Sequence, residues 1–350
     1  MTRTAIVGLI LAATLCPPAP LDAQVEIGAR AARLTVGGRL HTQYASSSVD
    51  GAVEHVFVRR ARITVDMALG EIVRGRVMPD FAGGETALQD AYLLLDLDEA
   101  FTTSFGQFKR AFSNFELNSS TDLPTVERDG RIPGLSHCAG VGGVCTFSRL
   151  TQKLKFDERD VGVRVAGQLG GRLEYMATLT NGEGINTADV NDGKSFSVRL
   201  ATTAAEGMTV GVFGGLHDYL DGDDETRRAG AAGADVELGS FRSGFHLLAA
   251  AVAGENWLAG EEAGFRTAQA LVSYYLPSGS ETIEGLEPLL RASWGDPDDD
   301  GEEDSGFLLT PGVFLYVQGK NALGANLDWY SPAGEADAEW SLKLQAYLYF

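Results

Sequence analysis

Glu339-Trp340-Ser341-Leu342-Lys343-Leu344-Gln345-Ala346-Tyr347-Leu348-Tyr349-Phe350 closes the sequence. Trp340, Leu342, Leu344, Ala346, Leu348 and Phe350 fall on one face. Ser341, Lys343, Gln345, Tyr347 and Tyr349 fall on the other. This period-two alternation predicts a β-strand with one apolar and one polar face. Chain ends in water usually fray, so an apolar aromatic as the last residue points elsewhere. It suits a strand that spans lipid and must close on another strand, leaving no edge. A core strand of a soluble sandwich is the alternative reading.

Working outward, the pattern repeats. No apolar run approaches the roughly 18 residues of a membrane helix, so a membrane protein of this composition has to be a β-barrel. Alternating strands also hide from hydropathy. The 43 glycines suit hairpin turns and close strand crossings. Alternation and turn signals divide the chain into about sixteen antiparallel strands. Short glycine-bearing turns, as at 69–71 and 170–171, alternate with longer polar loops, as at 45–53, 182–193, 219–227 and 295–306. A barrel with short periplasmic turns and long outer loops has that asymmetry, and a sandwich has no cause for it. The expected fold class is therefore all-β: a transmembrane antiparallel barrel forming one domain over residues 24–350.

Residues 1–23 read as a secretory signal peptide, with Arg3, the apolar run Ala5–Leu15 and a cleavage site at Leu21-Asp22-Ala23. Leu15 before Cys16 is larger than a lipidation signal tolerates. Removal takes away Arg3 and Asp22 together, so the mature chain keeps the net charge of −20. Cys138 and Cys145 remain, and an even pair at short spacing in an exported chain predicts a disulfide. Such acidity argues against a nucleic-acid partner.

The segment 110–159 is too long for an ordinary connection. Its apolar residues, among them Phe112, Phe115, Leu117 and Phe147, require burial, and the lumen of the barrel is the available place. It is expected to fold inward as a third loop that narrows the pore; a loop lying on the outer surface is the alternative.

Charge on the polar faces carries the chemistry. Assigning Phe57, Ala61, Ile63 and Val65 to lipid turns Arg60, Arg62 and Asp66 inward, and the next strand turns Arg74, Arg76 and Asp80 inward. An arginine on the lipid face near mid-bilayer costs about 2–4 kcal/mol. These four guanidiniums are expected to share one lumen patch, with further bases at Arg164, Arg172, Arg199, Arg242, Arg291 and Lys343. Forked, permanently charged donors give an oxyanion a path of shallow sites. Alternatively the arginines pair with wall carboxylates such as Asp66, Asp80, Asp90 and Asp96, or with the loop acids Glu116, Asp122, Glu127 and Asp129, giving a general pore with a transverse field.

No metal site is expected: Asp296–Asp304 begins like a calcium loop, but Phe307 stands where the bidentate Glu belongs. Loose divalent ions bridging to lipopolysaccharide are all that such loops require. His41, His55, His137, His217 and His246 show no metal or triad spacing, so neither a cofactor nor catalysis is expected.

Val58-Arg59-Arg60-Ala61-Arg62, Asp90-Ala91-Tyr92, Gly106-Gln107-Phe108-Lys109 with Phe112, Glu127-Arg128 and Thr180-Asn181-Gly182 together resemble the phosphate-selective porin O/P group. The final strand is likewise similar to the C-terminal signature of bacterial outer-membrane barrels. The resemblance implies a sixteen-stranded homotrimeric porin of a Gram-negative outer membrane, inserted among lipid and lipopolysaccharide by the barrel-assembly machinery. It implies passive diffusion of small anionic or neutral solutes, with Lys109 and the arginines of the second strand lining an anion path. This chain departs from the family at Arg110-Ala111-Phe112 and in its acidity, which bears on phosphate selectivity. A closed barrel serving as an adhesin, a structural protein or a hydrolase is the competing class.

Overall fold

The computed structural model describes residues 25–29, 32–260, 263–301, 304–334 and 336–350. The signal-peptide assignment and Cys16 lie outside them. The terminal alternation forms a strand, and its pairing closes the molecule on itself. The first half contributes β1 (Val25–Ala29), β2 (Ala32–Ser47), β3 (His55–Leu69), β4 (Val73–Asp80), β5 (Ala87–Asp98), β6 (Phe101–Lys109), β7 (Arg159–Leu169), β8 (Leu173–Thr180) and β9 (Ser195–Ala205). The second half contributes β10 (Met208–Leu220), β11 (Thr226–Gly239), β12 (Phe245–Glu255), β13 (Gly264–Tyr274), β14 (Leu276–Pro277), β15 (Gly285–Asp296), β16 (Gly306–Gln318), β17 (Asn321–Pro332) and β18 (Glu339–Tyr349).

Successive strands pair antiparallel, and β18 pairs with β2 from Ser341↔Ser47 to Tyr349↔Arg39. Of the eighteen segments, β1 folds back on the start of β2 and β14 continues β13 along β15, leaving sixteen wall strands among the described residues. Full closure removes the edges a sheet would otherwise present. At the seam Gly38 N–H donates to the Phe350 carbonyl at 2.7 Å and Phe350 N–H returns to the Gly38 carbonyl at 3.1 Å. A Cβ at Gly38 would run into the Phe350 ring, so the seam needs a glycine there.

The alternation sorts side chains as expected. On β18, Trp340, Leu344 and Leu348 are exposed toward lipid while Ser341, Lys343 and Gln345 are buried. The chain is a closed antiparallel β-barrel, and no helix among the described residues is long and apolar enough to cross a membrane. Residues 240–244 form the turn before β12.

The core lies inside the barrel. Between β6 and β7 the chain folds inward through two short helices, α1 (Asn114–Leu117) and α2 (Phe147–Lys153), capped by Ser113 and Thr146. Phe112, Phe115, Phe147, Leu150, Leu154 and Phe156 pack against lumen-facing Phe213, Leu248, Phe265, Leu308 and Tyr330. Cys138 and Cys145 are joined as a disulfide within this segment.

Candidate functional site

The site is built where the inward segment meets the wall of β2–β7. Val58-Arg59-Arg60 sets its upper part. Two consecutive arginines cannot both face the lumen in a regular strand, since neighbours alternate. The register slips between His41, opposite Arg60, and Thr42, opposite Val58, which leaves Arg59 as the extra residue of a bulge. Arg59 then reaches inward to Glu127, with Nε–Oε1 2.6 Å and Nη2–Oε2 2.9 Å. Arg60 is buried, its Nη1 3.3 Å from His41 Nδ1, and His41 Nε2 lies 3.1 Å from Tyr349 Oη. The bulge corrects one assignment. Val56, Val58 and Ile63 are the exposed apolar residues, whereas Phe57 is half-buried.

The four predicted arginines lie inward but do not share one patch. Arg62 pairs with Asp80 at 2.6 Å, and Arg76 with Asp66 through bonds of 2.7 and 3.1 Å. Arg74 is 58% exposed and pairs with Asp96 at 2.8 Å. The antiparallel register sets Arg76 opposite Asp66 and Arg74 opposite Ala68. At about 3.3 Å per residue, these lie about 13 and about 20 Å below Arg62 toward the short-turn end. Arg172 lies in the turn before β8 and Arg242 in the turn before β12, so neither belongs to a wall strand. Arg242 rests against the rings of Phe241 and Tyr316, at 5.6 and 5.5 Å.

Lys109 is buried by the inward segment rather than free in the lumen. Its Nζ donates to the carbonyls of Glu116, Leu117 and Asn118 at 2.5, 3.3 and 2.8 Å, gathering the C-terminal end of α1. The acids of the segment are engaged as well. Glu116 lies 3.5 Å from Arg128 and Asp122 2.7 Å from Lys320, while an Asp129 oxygen accepts the Arg131 N–H at 3.3 Å. Burial alone would push the Glu127 carboxyl up, but the Arg59 charge and its hydrogen bonds outweigh that and hold it at about 2. Burial, with the Glu127 charge beside it, pushes Asp129 up instead.

The segment is pinned across the lumen by wall groups. Arg291 Nη1 donates to the carbonyls of Glu127 and Arg128 at 2.9 and 2.7 Å. The Val126 and Asn114 N–H groups donate to Asn326 at 2.6 Å and to Asp235 at 2.9 Å. Beside β2–β7, on the short-turn side, lies a cavity of about 580 Å³ bordered by six basic side chains, Arg39, Arg76, Lys109, Arg159, Arg164 and Lys320. Two acidic ones, Asp66 and Asp90, oppose them.

Arg39 escaped the sequence reading, and Arg59 entered it only through the family resemblance, without its partner Glu127. Arg39 shares the polar alternation of β2 with His41 and Gln43, a signal that was present; Arg59 required the bulge.

The dispersed motifs converge. Tyr92 pairs with Gly106 and Ala91 with Gln107 across β5 and β6. Gly106 has φ +127°, and a Cβ there would strike the Ala91 carbonyl, so the close approach requires glycine. Arg59 of one motif holds Glu127 of another, and Gly182 N–H donates to Asp160 at 2.6 Å.

Residues 34–234 match the family described as phosphate-selective porin O and P. No curated protein sequence matches. Among solved structures, the outer membrane channel DcaP of Acinetobacter baumannii is similar, with a TM-score of 0.64 at 14% identity over 93% of this chain and 99% of that one. An anion-selective porin from Comamonas acidovorans gives 0.64 at 12% identity over 91% and 100%. The trimer form of OmpT, an outer membrane protein of Vibrio cholerae, gives 0.61 at 12% over 91% and 100%. At these identities the likeness is one of fold.

Proposed function

The chain belongs to the phosphate-selective porin O and P family, and from that premise we propose that this outer-membrane channel passes small hydrophilic solutes by diffusion, prefers anions and works as a homotrimer. One observation carries the anion preference. Six basic side chains border the cavity beside the constriction and two acidic ones oppose them. The acids of the inward segment are held by partners of their own, Glu127 by Arg59 and Asp122 by Lys320. Selectivity is set where the passage is narrow and water screens least. Outer-loop carboxylates are screened within about 8–10 Å in physiological salt, so the local excess of positive charge, which persists with Lys320 set against Asp122, outweighs the net charge of the chain.

Reversal potentials across a salt gradient test the reading. Anion preference in the native channel, reduced in Arg39→Ala, is the expected result; a cation-selective native channel overturns it.

A plugged barrel is the second reading, favoured by the burial of Arg291, Asp328, Thr310 and Ser293 beneath the inward segment. Planar-bilayer recording separates the two. Discrete ohmic steps belong to the channel, and silence from well-folded protein belongs to the plug.

A further inference from the structure

Basic groups are only part of the lining of the short-turn cavity. Met78, Tyr92, Phe108, Leu117, Met176 and Tyr349 border it too, interleaved with the arginines. Arg164 stands among them. Its guanidinium carbon lies 5.2 Å from the centre of the Tyr92 ring and 4.8 Å from that of Phe108. Nη2 donates to Ser104 Oγ at 3.2 Å, and no carboxylate pairs with Arg164 among the described residues. Arg39 is similar, its Nη1 3.5 Å from Ser120 Oγ and its Nη2 3.4 Å from Met78 Sδ.

We infer that this cavity is a binding site for organic anions that join a carboxylate to an apolar body, with Arg164 as the carboxylate clamp. The inference rests on the anion-preferring reading above and adds the class of anion. A guanidinium lying against rings keeps its edge for a bidentate acceptor. A small hydrated inorganic anion placed here loses water to thioethers and rings that return no hydrogen bond, which is costly. An organic carboxylate meets both halves of the wall. Its charged end takes the edge of Arg164, and its hydrocarbon covers the half-buried Tyr92, Leu117 and Met176. Asp66 and Asp90, each already paired with an arginine, leave room for one further negative charge.

The test uses the native porin in planar bilayers, with one variant beside it. Acetate, butyrate, hexanoate, phenylacetate and inorganic phosphate are each titrated against the chloride current, with hexanol and benzyl alcohol as neutral probes. The half-blocking concentration is expected to fall about twofold per added methylene, the effect of partial burial. Phenylacetate should block at least about tenfold below acetate, phosphate no better than acetate, and the alcohols not at all. Arg164→Gln should raise the half-blocking concentration of every carboxylate about tenfold while keeping the dependence on chain length, as loss of one charged bidentate contact predicts. A flat series from acetate to phenylacetate, phosphate blocking below phenylacetate, or block by the alcohols overturns the inference. Reversal potentials on the same membranes keep the two ideas apart. Cation selectivity removes the reading beneath, whereas anion selectivity with a flat series removes the inference alone.

Discussion

Arg59 and Glu127 meet edge to edge, two guanidinium nitrogens donating to two carboxylate oxygens at 2.6 and 2.9 Å. The bulge that frees Arg59 and the inward turn that delivers Glu127 lie 68 residues apart. Their union fastens the inward segment to β3.

The Glu127 side chain is 5% exposed and that of Arg59 33%. Glu127→Gln is therefore expected to loosen the segment by about 1–3 kcal/mol, short of the 3–5 for breaking a fully buried pair. The readout is current noise at pH 7, higher than in the native channel. Acid should act alike. With its carboxyl held at about 2, Glu127 contributes fully above the ordinary glutamate value of about 4.3 and loses that contribution as pH falls toward 2. Native noise should stay flat from pH 7 to 5 and rise below about pH 4. Glu127→Gln should lack that acid-induced rise.

Neighbouring residues on β18 face opposite solvents, and stability should report it. Leu344 is exposed to lipid while Lys343 is buried on the lumen side. Leu344→Arg is expected to cost about 2–4 kcal/mol near mid-bilayer, measured by equilibrium refolding into lipid vesicles. A neutral result would place Leu344 away from the hydrocarbon.

The barrel itself was legible because lipid and lumen impose opposite chemistries on alternate residues, and β18 carries that rule almost without exception. The inward segment was legible from its apolar residues, which had nowhere else to go. The arrangement of charges was not. Alternation says which way Arg62 and Arg76 point, but their separation along the wall comes from the β3–β4 register, which a single strand does not encode. The Arg59 bulge left one trace in the sequence: two adjacent arginines between apolar neighbours, where a regular strand would have put one of them into lipid. The resemblance puts Lys109 on an anion path, but its use as a cap for α1 depends on a fold 7–9 residues downstream.

Asp66 and Arg76 are mutually paired beside the cavity, so neutralising either should move selectivity in opposite directions. A unit charge about 10 Å from a permeating ion in a watery lumen is worth about 0.4 kcal/mol, or about twofold in permeability ratio. Asp66→Asn should raise anion preference by about that factor and Arg76→Gln should lower it. Shifts of the same sign would mean that the pair acts only through wall structure.

The Cys138–Cys145 disulfide closes a short turn near Tyr330, where His137 Nδ1 lies 2.9 Å from the tyrosine hydroxyl. Mass mapping of unreduced protein should recover the two cysteines linked. Closing so short a loop is worth about 2–3 kcal/mol at most in the chain-entropy account. Reduction should therefore increase proteolysis of the inward segment. It should leave ion selectivity alone, because neither cysteine borders the cavity.

Arg291, Asp328 and Lys343 form a buried charge cluster on β15, β17 and β18, with side chains at most 1% exposed. Asp328 bridges the two cations and also accepts from Thr310. The three positions are not equivalent. Asp328→Ala leaves two cations buried without their counter-charge and should cost about 3–5 kcal/mol. Lys343→Met leaves Arg291 and Asp328 as a neutral pair, adds an apolar chain of similar length and should cost under about 1.5 kcal/mol. Arg291→Met also removes the bonds to the Glu127 and Arg128 carbonyls, so it alone of the three substitutions should release the inward segment directly. Heat-dependent gel mobility ranks the stabilities, and current noise identifies the variant with a freed segment. Equal losses from Asp328→Ala and Lys343→Met would show that the lysine, too, is needed to offset the buried carboxylate.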